Sequence, residues 1–123
     1  LTKAVSNHYE RIHLQQEFAQ KYQVYLVLKG GNTSVACPDG SIYFNAAGNP
    51  GMATGGSGDV LTGMITSLLG QGYEPRQAAI SGVYLHALAG DIAAKQRGQE
   101  ALIASDMIES IGLAYKYVQD EEE

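Results

Sequence analysis

The chain has 123 residues, enough for one domain or part of one, and its 45% hydrophobic and 17% charged residues exclude wholesale disorder. A formal net charge of -5 gives no general attraction for nucleic acid or an anionic membrane, so an anionic ligand must be met by local groups. The lone cysteine, Cys37, excludes an intrachain disulfide and a cysteine-based zinc cluster.

The opening LTKAVSNHYERIH is polar where a signal peptide needs an apolar core, and no run approaches the roughly 20 apolar residues of a membrane span. These features, with the single cysteine, point to a cytoplasmic protein. Ala4, Ile12, Leu14, Phe18, Ala19 and Tyr22 recur at helical spacing among Glu, Gln, Lys and Arg, which predicts an amphipathic helix over residues 3 to 22. VYLVL, residues 24 to 28, is a continuous apolar run suited to a strand buried on both faces of a parallel or mixed sheet, ended by Lys29, Gly30 and Gly31. Thr33 to Cys37 and Ser41 to Asn45 read as two strands of a hairpin, joined by the turn residues Pro38, Asp39 and Gly40.

A small, glycine-rich segment from Ala46 to Gly58 leads into VLTGMITSLL, which has helical length and apolar content. Pro75 suits the first turn of a further helix reaching about Gln96; Gly82 and Gly90 inside it each cost roughly 1 kcal/mol against Ala, implying close packing as compensation. Ser105 opens a last helix with Glu109 close behind, although capping-box spacing from Ser105 falls on Ile108. The final DEEE reads as a solvated tail.

From Gly40 through Tyr73 the only charged side chain is Asp59, which lies within GGSGD at a predicted helix start. Unpaired backbone N–H groups and the positive end of the helix dipole converge there, making a ready anion site. Gly55, Gly56 and Gly58 allow a phosphate to approach the backbone and permit the positive-φ geometry of an anion nest, with Pro50 and Gly51 shaping the approach. A plain helix cap, a role Asp often fills, is the competing reading of Asp59. Two better-known phosphate motifs fail: a Walker A loop ending at Gly56 would need Lys and Ser or Thr where Ser57 and Gly58 stand, and a dinucleotide fingerprint begun at Gly56 would need glycine at Leu61. An anion hole beside a carboxylate base remains, the pairing that phosphoryl transfer to a hydroxyl requires.

NAAGNPGMATGGSGDVLTGMI, from Asn45 to Ile65, closely resembles the signature of the NAD(P)H-hydrate dehydratases of the ribokinase-like superfamily. GVYLHALAGDIAA, from Gly82 to Ala94, resembles the helix that follows it there, and VLKGGNTSVA, from Val27 to Ala36, resembles the strand and turn that contact nucleotide. The three motifs stand in family order, so the resemblance covers nearly the whole chain. It implies an α/β fold: the C-terminal portion of a ribokinase-like three-layer αβα sandwich, with the N-terminal half, which carries more of the sheet and part of the substrate pocket, absent. It further implies a lyase of metabolite repair that uses ADP or ATP with Mg2+ to return hydrated NAD(P)H to NAD(P)H. Lys29, Gly30, Gly31, Asn32 and Thr33 would contact the nucleotide, as would Gly58, with the amides of Gly55, Gly56 and Gly58 on the phosphoryl group. Asp59 would lie at the substrate and act as base. No metal ligand is assigned.

The remaining candidates have plainer readings. Lys29 follows a strand at its carboxyl end, where open α/β sheets bind ligands, or is a solvated lysine before a turn. His86 shares a helix stripe with Gly82, Ala89, Gly90 and Ala93 and reads as a hydrogen-bonded packing residue, with proximity to nucleotide as the alternative. Asp91 reads as structural. Tyr84, Tyr115 and Tyr117 suit core or subunit packing, which leaves a homo-oligomer open. His8 and His13 read as surface residues. A small-molecule kinase of the same superfamily, acting on a sugar or vitamin precursor, would use the same loop and base, and a nucleotide-binding module without turnover is the alternative of a different class.

Overall fold

The computed structural model describes residues 8–29, 33–45, 55–99 and 101–122, with side chains described for 9–29, 33–45, 55–99 and 101–118. The chain divides into two compact units at the end of its third strand, residues 1–44 and 45–123.

In the first unit, α1 (His8–Tyr22) precedes β1 (Leu26–Leu28), β2 (Thr33–Ala36) and β3 (Ile42–Asn45). The predicted start of α1 lies outside the described residues. Gln23 ends the helix with φ 53°, and Val24 N–H donates back to the Ala19 carbonyl at 3.1 Å, the six-to-one bond of a Schellman stop. A non-glycine residue in this left-handed position costs about 1 to 2 kcal/mol. The Gln23 side chain also binds the Gln20 carbonyl at 2.8 Å, satisfying a second terminal carbonyl.

The sheet runs in the order β1-β2-β3, and β1 pairs antiparallel with β2, Val27 opposite Val35. This corrects the expectation of a strand buried on both faces: all three residues of β1 are half-buried, and among the described residues β1 is an edge. A continuous apolar run alone does not report which neighbours cover it. The hairpin forms as predicted. Cys37 N–H donates to the Ser41 carbonyl at 2.8 Å, Gly40 takes φ 94°, and the Asp39 carboxylate accepts from Ser41 N–H at 2.9 Å.

Glutamines on α1 tie the helix to these strands. Gln15, only 3% exposed, donates to the carbonyls of Leu26 at 2.9 Å and Ser34 at 3.3 Å and accepts from Ser34 Oγ at 2.9 Å. Gln16 donates to the Gly40 carbonyl at 3.0 Å. The sequence pattern placed these glutamines with the polar face.

Among the described residues the second unit holds three helices, α2 (Ser57–Gly70), α3 (Pro75–Arg97) and α4 (Ala104–Glu122). α3 packs against both other helices. One core cluster gathers Ala87, Ala93, Leu102 and Met107; another gathers Met64, Leu85, Ala89 and Ala114, with Val60, Ile92 and Ile111 against it. The close approach expected at Gly82 is present, since a Cβ there would stand 2.6 Å from Ile65 Cγ1. Pro75 takes the first helical position of α3 as predicted.

The helix ends add to the sequence reading at α2 and depart from it at α4. α2 stops at a Schellman turn on Gly72, φ 96°, with Tyr73 N–H bonded to the Leu68 carbonyl and Gly72 N–H to that of Leu69, both at 3.1 Å. At α4 the cap is Ile103, not Ser105: the Asp106 carboxylate accepts from Ile103 N–H at 3.1 Å and Asp106 N–H returns to the Ile103 carbonyl at 3.0 Å. This is the carboxylate half of a capping box, shifted two residues from Ser105. Arg97 lies 3.7 Å from both Asp106 and Glu109. α4 continues to Glu122, so most of the expected solvated tail is helical backbone. No helix among the described residues is long and apolar enough to cross a membrane.

Candidate active site

α2 begins at Ser57, three residues before the predicted apolar run, and this places Gly58 and Asp59 inside its first turn. Gly56 is the N-cap, in left-handed geometry with φ 85° and ψ -8°, and no side chain caps the helix. The capping reading of Asp59 therefore fails, because its carboxylate sits at the third helical position while Gly56 holds the cap. Helix geometry gives the N–H groups of Gly56, Ser57, Gly58 and Asp59 no intrahelical acceptor; the first intrahelical bond runs from Val60 N–H to the Gly56 carbonyl at 3.1 Å. These four donors and the positive dipole end form the anion hole, one residue later along the chain than Gly55 to Gly58.

The three glycines differ in what they contribute. Only Gly56 has positive φ, the backbone geometry that favours glycine, and a Cβ there would also stand in a tight 3.3 Å contact with Ala104 Cβ. A Cβ at Gly55 or Gly58 would meet none of the described residues within 4 Å, so among those residues the two positions leave open space beside the helix terminus. Gly58 and Asp59 are exposed, as are Thr62 and Gly63 in the next turn. The segment 46–54, with Pro50 and Gly51, lies outside the described residues.

In the first unit, Lys29 follows the carboxyl end of β1 and Thr33 opens β2, as predicted, while Gly30, Gly31 and Asn32 between them lie outside the described residues. Lys29 is exposed at the surface, yet partial desolvation lowers its pKa below the ordinary lysine value. The Arg11 guanidinium donates to the Lys29 carbonyl at 3.4 Å, a cation the sequence reading did not single out. These residues belong to one unit and the loop of α2 to the other.

The other candidates separate clearly. His86 is 3% exposed, with Nε2 3.0 Å from the Ser57 carbonyl oxygen and 3.3 Å from Ser57 Oγ, the hydrogen-bonded packing role expected of it. Ser57 itself is fully buried and was missed. Its signal was present in GGSGD as the one hydroxyl among the glycines. Tyr84 and Tyr117 are 40% and 50% exposed, outside the core. Tyr115 is half-buried against the second cluster, and burial, with the Tyr73 phenol nearby, raises its pKa. His13 is exposed and pairs with Glu17 at 2.9 Å, a surface i,i+4 contact. Among the described residues no group of three or more His, Cys, Asp or Glu could hold a metal ion.

A family model described as NAD(P)H-hydrate dehydratase matches residues 1–112. The chain belongs to the NAD(P)H-hydrate dehydratase family. A bifunctional NAD(P)H-hydrate repair enzyme of Moorella thermoacetica is 47% identical over 122 residues, covering 99% of this chain and 23% of that protein. An ADP-dependent (S)-NAD(P)H-hydrate dehydratase of Bacillus subtilis is 34% identical over 107 residues, covering 87% of this chain and 39% of the relative. The crystal structure of the ADP/ATP-dependent NAD(P)H-hydrate dehydratase from Bacillus subtilis, co-crystallised with ATP and Mg2+, superposes with a TM-score of 0.83 at 33% identity, over 89% of this chain and 39% of that one. A ribokinase-like superfamily protein from Enterococcus faecalis matches with a TM-score of 0.68 at 36% identity, over 83% of this chain and 35% of that one. The fold of this family member is therefore ribokinase-like, and the chain spans well under half the length of these relatives.

Proposed function

We propose that this chain is the C-terminal nucleotide-binding and catalytic part of a cytoplasmic dehydratase that returns hydrated NAD(P)H to NAD(P)H at the expense of ADP or ATP. The observation that carries the reading is the start of α2, where four N–H donors without intrahelical acceptors, a left-handed Gly56 and exposed Asp59 share one turn in a member of this family. The open space beside Gly55 and Gly58 fits a phosphate held against the backbone.

In this reading Lys29, Gly30, Gly31, Asn32 and Thr33 bind the adenine nucleotide, and the amides beginning at Gly56 neutralise the phosphoryl group in transfer. Asp59 accepts the proton of the substrate's ring hydroxyl as its oxygen attacks phosphorus. The nucleotide leaves one phosphate shorter. The ring C–O bond then breaks with phosphate as leaving group, and the nitrogen lone pair of the hydrated ring supplies the electrons that restore the dihydronicotinamide. Phosphorylation thus converts a poor leaving group into a good one. Mg2+ would supply charge neutralisation on the nucleotide phosphates, to which it binds with water and few protein carboxylates; no residue of this chain is assigned to it.

The test is an assay of the full-length protein with hydrated NADPH, ADP or ATP, and Mg2+. Regeneration of NADPH with stoichiometric release of phosphate is the expected result. A stable phosphorylated alcohol formed from a sugar or vitamin precursor, with no NADPH regenerated, would replace the reading with a small-molecule kinase. Thermal protection by nucleotide without turnover would replace it with a binding module.

A further inference from the structure

The mechanism above makes no use of the buried contact between α3 and the first residue of α2. His86 Nε2 lies 3.0 Å from the Ser57 carbonyl oxygen, and a carbonyl only accepts, so Nε2 carries a proton. Ser57 Oγ, 3.3 Å from the same nitrogen, is left free to donate its own proton to Met107 Sδ at 3.6 Å. His86 and Ser57 are 3% and 0% exposed, so water does not compete for these bonds.

The Ser57 carbonyl and the Gly58 N–H are two ends of one planar peptide group. A donor that grips the carbonyl therefore fixes the direction of that N–H, which points the opposite way along the helix axis toward the open terminus. The same bond polarises the peptide and strengthens the N–H as a donor. Ala104 bounds Gly56 on the other side, and Met107 engages the Ser57 hydroxyl, so α4 holds the residues flanking this peptide. We infer that His86 is a positioning residue for phosphoryl transfer, its Nε2–H aiming and polarising the Gly58 amide through the Ser57 carbonyl. The inference rests on the proposed role of the α2 terminus in binding the phosphoryl group.

Two buried polar replacements separate this role from packing. The amide nitrogen of glutamine in His86→Gln reaches about as far as Nε2, whereas that of asparagine in His86→Asn reaches only about as far as Nδ1. Both remove the ring, so a packing role alone makes them fall together. In the full-length protein, His86→Gln should keep turnover near the wild-type value, while His86→Asn should lower kcat about tenfold or more with little change in the nucleotide KM, since misaimed donors cost most where charge develops. Turnover expressed per folded molecule, with melting temperatures recorded, makes the comparison independent of stability. Equal loss in both variants, or wild-type kcat in both, overturns the inference. The nucleotide affinity of Gly58→Val, measured in parallel, separates the two levels. Unchanged affinity in that folded variant removes the phosphoryl-binding reading and this inference with it, whereas loss of affinity there beside an active His86→Asn removes this inference alone.

Discussion

Asp59 occupies the third residue of a helix whose cap is glycine, and that position separates its electrostatics from its chemistry. A carboxylate in the first turn complements the helix dipole, but replacing it with asparagine removes less than about 1 kcal/mol of that interaction at an exposed site. As a base, by contrast, it would supply about 10² to 10⁴ in rate. Asp59→Asn in the full-length protein should therefore melt close to wild type and bind nucleotide comparably while turnover falls by about 10² to 10⁴. A folded variant with wild-type turnover would refute the assignment of Asp59 as base. The adjacent Gly58 needs a separate argument from Gly56. Gly56 is favoured by its positive φ, with Ala104 close beside it, whereas at Gly58 a Cβ would meet none of the described residues, so loss of nucleotide binding on adding a side chain there would point to the ligand.

At the scale of elements, α3 lies between α2 and α4 and does so by means of small side chains. Gly82, Ala89, Gly90 and Ala93 are all buried on it. Gly82 lets the α2 residue Ile65 approach until only 2.6 Å separates its Cγ1 from where a Cβ would stand. Gly82→Ala gains helix propensity of about 1 kcal/mol but must displace Ile65 or the helix, and overpacking of this kind costs about 1 to 3 kcal/mol. The expected net result is a lower melting temperature in the full-length protein; a rise would show that Ile65 yields freely. Because α3 also carries His86, a shift of α3 against α2 would be transmitted to the Ser57 carbonyl and so to the loop. The first unit is tied together by a different device. Gln15 satisfies two carbonyls and one hydroxyl at the buried side of α1, where removal of one partner would leave polar groups costing about 1 to 3 kcal/mol unpaired.

For the molecule as a whole, the decisive quantity is coverage. The chain accounts for 23% of the Moorella thermoacetica relative and 39% of the Bacillus subtilis one. The α2 terminus supplies donors and a base, but a phosphoryl transfer also needs walls that exclude water and fix the acceptor in line. We therefore expect the 123-residue chain by itself to show little or no turnover of hydrated NADPH beside the full-length protein, assayed with the same nucleotide and Mg2+. Comparable turnover numbers would place every catalytic requirement within these residues.

Legible in the sequence alone were the family, the hairpin with its Pro38 to Gly40 turn, the helix begun at Pro75, the close approach at Gly82 and the isolation of Asp59 just after a cluster of glycines. These features are local: turn chemistry, helical spacing and contiguous motifs are written within a few residues of one another. Tertiary structure decided that Gly56 and not Asp59 caps α2, since a cap is fixed by where the backbone enters the helix and by what stands beside it, here Ala104. It also decided which polar residues are buried. Gln15 and Ser57 have the composition of surface residues, and partners distant in sequence, Leu26 and Ser34 for one and His86 and Met107 for the other, complete the hydrogen bonds that permit their burial. A one-dimensional pattern records which side chains prefer water; it does not record which distant groups will take water's place.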